Sequence, residues 1–408
     1  MRLQSQSGVF GKLTAMIGLA LMAAGTHVLA ASSNPAAAST AASTYVPDKN
    51  KVLRYAFEVA ESSMDPQKVS DVYSTIVHNA IFDTPLRYDY LARPLKAVPN
   101  TLVSMPEVTD NHKTFTMRVK PGIYFADHPV FGGKKRELTA EDYVFSIKRL
   151  FDPKLSAPLL AEVEGYVVGS DEFLKRVRKT NKMDFDTPIE GLRALDRYTF
   201  QIKLTEPKPT FIFVMTDCRA ACAVAREIVE KYGSDIGSNP VGTGAYKLVE
   251  WKRTSRMVFE YNTNFRETYF EGEPATEDVV GQQVLAQMKG KRMPQVHRIE
   301  VSVIEERQPR LLAFFNNEFD VMWNFPEDFA NLGFPRNVLA PNLKKLGVEM
   351  RQIPALDIHM VYFNMEDPTV GGYTADRVAL RRAIALGYRV ADEINIVRKG
   401  QAIPSSTP

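Results

Sequence analysis

Hydrophobic and polar positions alternate or recur at helical spacing along most of the chain beyond residue 50, which predicts a mixed α/β protein. Val52 to Ala60 reads as a first core strand, closed by a turn at Ser62–Pro66. Ser74 to Phe82 is helical by pattern, with Ile76, Val77, Ala80 and Ile81 on its apolar face. From Thr114 to Lys120 the sides separate cleanly: Phe115, Met117 and Val119 face one way, Thr116, Arg118 and Lys120 the other. Pro121-Gly122 ends that strand with a turn. Thr139 stands as the cap of a helix, with Glu141 and Asp142 in the first turn and Tyr143, Ile147 and Leu150 on one face. Further strands are predicted around Phe200, Ile202 and Leu204, from Tyr246 to Trp251, and through Ile299, Val301 and Val303. No internal repeat is visible.

The N-terminus has a different character. Arg2 and Lys12 precede an apolar run from Leu13 to Gly25, too short to span a bilayer, and Val28-Leu29-Ala30 offers small residues before a cleavage point. The pattern predicts a secretion signal at 1–30, cut between Ala30 and Ala31, and a flexible Ala/Ser/Thr-rich tether at 31–50. The formal charge of the 408 residues is +3, and the signal carries two of the positive charges. A near-neutral chain with interspersed signs has no electrostatic footprint for nucleic acid. The two cysteines, Cys218 and Cys222, are spaced to form a local disulfide in an oxidising compartment or to remain as two buried thiols; they are not a redox Cys-x-x-Cys pair.

Catalytic chemistry finds little support in the pattern. Gly242-Thr243-Gly244-Ala245-Tyr246-Lys247 lacks the spacing of a phosphate loop and precedes a strand, so it reads as a structural turn. His78, His112, His128, His297 and His359 are scattered without zinc-ligand spacing, and no nucleophile elbow or paired carboxylates stand out. The expectation is no catalytic residue, no metal and no cofactor.

One run carries more information than any other: Ser238-Asn-Pro-Val-Gly-Thr-Gly-Ala-Tyr-Lys-Leu-Val-Glu-Trp251. It resembles the PVGTGPYKL-x-E-W motif of the extracytoplasmic solute-binding proteins of family 5, which deliver oligopeptides, dipeptides and related solutes to ABC importers. Other segments resemble the same family in the same order. Met64-Asp65-Pro66 stands where the family has LDP, FDTPLRYDY resembles F-D-x-L-x-x-Y-D, and LTAEDYVFSIKRLFDP is close to TAEDVVFSxxRxxDP. Gln308 to Phe319 resembles a helix ending G-x-x-D, Tyr362 to Met365 a strand of the second lobe, and the segment from Asp376 to Pro408 a later family block.

The resemblance implies a two-lobed periplasmic-binding-protein-like α/β fold (class II, large peptide-binding type). A small domain is inserted in lobe I, and lobe II is incomplete, as in a truncated copy. The implied boundaries are 51–85 and 196–300 for lobe I, 86–195 for the inserted domain and 301–408 for partial lobe II. The implied function is periplasmic capture of oligopeptides between the lobes of a monomer and delivery to ABC permease subunits of a Gram-negative inner membrane. A non-peptide solute (haem, a nickel chelate, a glycan or an opine) and a chaperone-like role remain alternatives. By family position Ser70, Asp71 and Val72 are candidates for pairing with peptide backbone, or else cap the following helix. Trp323, Asn324 and Asn364 are further candidates, with ordinary core packing the alternative for Trp323.

Overall fold

The computed structural model describes residues 45–352 and 358–405. The expected signal and residues 31–44 of the expected tether lie outside the described residues. Among the described residues no helix is long and apolar enough to cross a membrane.

Two four-stranded sheets organise the body. The first is built from β1 (Val52–Phe57), β6 (Tyr246–Lys252), β7 (Arg256–Tyr261) and β8 (Arg298–Val303), in the order β1-β8-β7-β6. β1 and β8 run parallel in register from Val52↔Arg298 to Phe57↔Val303, although far apart in sequence. β7 is antiparallel to both of its neighbours. On the free side of β1, Val321 forms a parallel bridge with Tyr55. Asp320 N–H donates to Arg54 O at 2.9 Å there, and the two side chains form an ion pair at 2.6 Å. Both groups of that pair are a third exposed, so its net contribution is small.

The second sheet contains β2 (Glu107–Thr109), β3 (Thr114–Arg118), β4 (Leu192–Ala194) and β5 (Thr199–Lys203), ordered β2-β3-β5-β4 and antiparallel throughout. Its apolar face is the alternation read from sequence: Phe115, Met117 and Val119 are buried with Phe200, Ile202 and Leu204. The boundary expected at 195/196 falls between β4 and β5, which pair within this one sheet.

Helix α1 (Val72–Ile81) follows β1, and α2 (Ala140–Arg149) packs on the second sheet. At the start of α2 the Asp142 carboxylate accepts from Thr139 N–H at 2.7 Å and from the Thr139 hydroxyl at 3.0 Å. Arg136 then clamps Asp142 and Glu227, each at 2.7 Å. At its other end α2 delivers Arg149 into the interior. The Arg149 guanidinium donates twice to Asp65, at 3.1 and 2.7 Å, and once more to Gln67, and both charged side chains are almost wholly buried. Gln67 in turn donates to Cys222 O at 3.1 Å. Cys222 is disulfide-bonded to Cys218 across Cα atoms 4.4 Å apart.

A second buried pair joins two of the sequence motifs. Asp83 accepts from Arg266 at 2.6 Å, from the Thr243 hydroxyl at 2.8 Å and from Asn100 at 3.1 Å. Burial pushes its carboxyl up, and these partners outweigh that and hold it below the usual carboxylate range. Gly242 and Gly244 abut the last turn of α1, where Gly244 N–H donates to Ile81 O at 2.8 Å. A Cβ on Gly242 would sit 2.1 Å from Ile81 O, and one on Gly244 2.6 Å from Ala80 O. The glycines are there for close backbone approach.

Beyond α3 (Arg307–Phe315) one expectation is corrected. Tyr362 to Met365 is not a strand. Extended backbone forms a ladder only beside a partner, and among the described residues no strand pairs with this segment; Tyr362 is 81% exposed. Helix α4 (Ala375–Gly387) has no buried residue.

Arg149→Met leaves Asp65 buried without its cation, and we expect a loss of about 3–5 kcal/mol in urea unfolding. Replacing Asp65 and Arg149 together by apolar residues should recover most of it. Gly244→Ala forces two backbone segments apart, with an expected loss of about 1–3 kcal/mol in the same assay.

Candidate functional site

Three chain segments run parallel and end at one edge of the first sheet. β1 ends at Phe57 and continues into Glu58, and β8 ends at Val303 and continues into Ile304, whose N–H donates to Phe57 O at 2.9 Å. The third is the Val321 segment, which continues into Met322, Trp323 and Asn324. Side chains beyond the carboxyl ends of parallel strands converge there, because each strand must leave the sheet before its connection turns back.

A depression at this edge is lined by Ala56, Glu58, Arg310, Val321, Trp323 and Asn324, among others. Arg310 comes from α3 and is 3% exposed. Its guanidinium donates to Ile304 O at 2.8 Å and Glu305 O at 3.2 Å, and lies 3.4 Å from the Glu58 carboxylate. It thereby fixes the chain as it leaves β8 and orients Glu58. Trp323 is 72% exposed beside them. That is the opposite of core packing.

Tyr55, Phe57 and Tyr73 form an aromatic row next to Glu58, with ring centroids 5.5 and 5.0 Å apart. Burial, then Tyr73 and Glu58, push the Tyr55 hydroxyl up to about 12. Burial and Glu58 raise Tyr73 against the opposing field of Arg310. Both phenols stay neutral hydrogen-bonding groups at neutral pH.

Tyr73 belongs to α1, and its first residues bring the other candidates. Asp71 caps the helix, accepting from Ser74 N–H at 2.7 Å and from the Ser62 hydroxyl at 2.5 Å. Burial opposes its ionisation, but these bonds prevail and hold the carboxyl below its ordinary range. Ser70 and Val72 are exposed on either side of it. Trp323 and Asn324 thus line the depression itself, whereas the start of α1 reaches the end of β1 through Tyr73 against Phe57. Asn364 has a local role: its side chain accepts from Glu366 N–H at 3.1 Å within its own turn. Glu58, Arg310, Tyr55 and Tyr73 were not singled out from the sequence. A charge directly after an apolar strand was the available signal for Glu58. Arg310 had none, because a helical arginine reads as solvent-facing. Among the described residues no group of three or more His, Cys, Asp or Glu side chains is placed to hold a metal ion.

Comparison with known proteins gives a consistent result. The family model described as bacterial extracellular solute-binding proteins, family 5 Middle, matches residues 96–408. The periplasmic oligopeptide-binding protein OppA of Salmonella typhimurium is 27% identical over 249 residues, covering 60% of this chain and 42% of its own length. Di/tripeptide-binding protein 2 of Pseudomonas aeruginosa is 22% identical over 379 residues, covering 90% of this chain and 60% of its own length. The structure of Haemophilus influenzae OppA in complex with RPPGFSPFR superposes with a TM-score of 0.53 at 21% identity, over 74% of this chain and 50% of that one. The Escherichia coli murein tripeptide binding protein MppA gives 0.53 at 18%, over 71% and 50%. The chain therefore spans about half the length of these relatives. At such identity the structures establish the fold, that of two-lobed periplasmic peptide-binding proteins.

His78 lies in the last turn of α1, fully buried, its Nε2 3.0 Å from Ser63 O and its Nδ1 without a partner. Burial drives its pKa from 6.5 down to about 4, against the pull of Ser63 O, Asp65 and Asp71. The folded protein therefore refuses a proton that the unfolded chain accepts. Its contribution is present above the unfolded pKa and is lost as pH falls from about 6.5 to about 4, by about 3 kcal/mol in all. Urea midpoints across that range should fall more steeply for the wild type than for His78→Gln; parallel profiles would contradict this.

Proposed function

Because the chain belongs to family 5 of the bacterial extracellular solute-binding proteins, we propose that it is a periplasmic receptor that captures oligopeptides for an ABC importer. The observation that carries the reading is the convergence of three parallel chain ends on an edge holding an exposed tryptophan, an oriented carboxylate and a capped helix start. Edges of this kind are where open α/β sheets receive ligands. A peptide offers the same backbone donors and acceptors whatever its sequence, so a receptor of broad range uses main-chain pairing and leaves side chains in roomy, wet pockets. Ser70, Asp71 and Val72 supply the backbone segment, and Trp323 supplies an apolar wall with low rotamer entropy. Asn324 offers both a donor and an acceptor beside it. Closure of a second lobe over this edge completes capture by a hinge motion. The oligopeptide-binding and tripeptide-binding relatives support this choice over the non-peptide solutes.

Mass spectrometry of small molecules released on denaturing the purified protein tests the reading. A ladder of short peptides of mixed sequence is expected, and recovery of one non-peptide species would replace it. Trp323→Ala should weaken peptide affinity about tenfold, near 1.4 kcal/mol, in titration calorimetry. Its melting temperature should stay unchanged, because the side chain is exposed.

A further inference from the structure

The same sheet edge has a second end, at β6. Trp251 lies near the carboxyl end of β6, and the turn after it meets the end of β8 through Val303 N–H donating to Ser255 O at 2.8 Å. The indole N–H of Trp251 donates to Oε1 of Glu61, which sits in the loop between β1 and α1. Glu61 is only 7% exposed. Its other oxygen, Oε2, is covered from solvent and has no hydrogen-bond partner. No ion pair among the described residues joins Glu61 to a lysine or arginine. A buried carboxylate oxygen in that condition is costly, and a cationic hydrogen-bond donor reaching it would stabilise it.

The surroundings favour a cation. Glu61 adjoins Ser62, whose hydroxyl donates to Asp71, so Glu61 is one residue removed from the candidate peptide segment. Trp251 presents an aromatic face, the best of the side-chain partners for a cation. That face already attracts one: the Arg253 guanidinium lies 4.6 Å from the ring centroid. Arg253 is exposed, and the one hydrogen bond of its guanidinium among the described residues is a long 3.3 Å contact with Ser238 Oγ. It therefore occupies the tryptophan face without neutralising Glu61.

We propose that Glu61 and Trp251 form a subsite for a cationic group of the ligand, an ammonium or guanidinium, with Glu61 Oε2 as its acceptor and the indole as its wall. This rests on the reading that the edge binds a solute, and it sharpens that reading to ligands carrying a free amine or a basic side chain. Arg253 is then a competitor that the incoming cation displaces.

Titration calorimetry of the full chain with trilysine and with N-acetyl-trialanine amide separates the two claims. The wild type should bind trilysine about tenfold more tightly, and Glu61→Gln should abolish that preference while leaving affinity for the neutral peptide unchanged. Equal affinities in the wild type, or a preference that survives in Glu61→Gln, would overturn the subsite and leave peptide capture standing. Binding of trilysine alone, lost in Glu61→Gln, would uphold the subsite and remove main-chain capture. Binding of neither would remove both. Arg253→Ala, an exposed change that does not threaten folding, should tighten trilysine about threefold; unchanged or weaker binding there counts against the subsite even if Glu61→Gln does not fold.

Discussion

The buried pair between Asp65 and Arg149 is the constraint on which the rest of the body depends. It joins the loop leaving β1, which belongs to the first sheet, to the end of α2, which rests on the second. Gln67 extends the link to Cys222 and so to the disulfide segment. Pulling two charges out of water is expensive, and such a pair is tolerated only when every donor and acceptor finds a partner. Here the guanidinium is shared between Asp65 and Gln67, and the carboxylate is held on both oxygens. What the arrangement supplies is position. It fixes the loop that carries Glu61, Ser62 and Asp71, and with it the start of α1.

The Asp83–Arg266 pair does the same on the other side of α1. Thr243, between the two close-packed glycines, donates to Asp83, so the turn before β6 is held against the last turn of the helix. A segment that looks at first like a ligand loop is therefore a packing joint. The consequence for function is indirect but firm. Both ends of α1 are anchored, its first turn is presented at the carboxyl edge of β1 and β8, and Trp251 is carried to the same edge two residues before its turn.

Much of this was legible in the residues. The alternation in β3 and β5 and the cap at Thr139 each have a local cause, period or hydrogen-bonding, that sequence displays directly. The site was legible in part. Asp71 caps α1, the alternative role its residue type suggested, and Trp323 stands exposed at the strand ends. Tyr362 to Met365 was expected as a strand from its resemblance to a family segment, but a strand is a relation between two segments and, among the described residues, no second one pairs with it. Arg310 was invisible because a buried arginine is made by its surroundings, here two carbonyls at the end of β8 and one carboxylate.

The sequence alone therefore determined the periodic elements, their caps and turns, and the family to which they belong, since these depend on neighbours a few residues apart. Tertiary structure alone decided which charges are buried together, which glycines are needed for contact, and which side chains share the edge. β1 and β8 meet across more than half the chain, and a hydrogen bond such as that of Trp251 to Glu61 joins residues whose proximity no local pattern encodes.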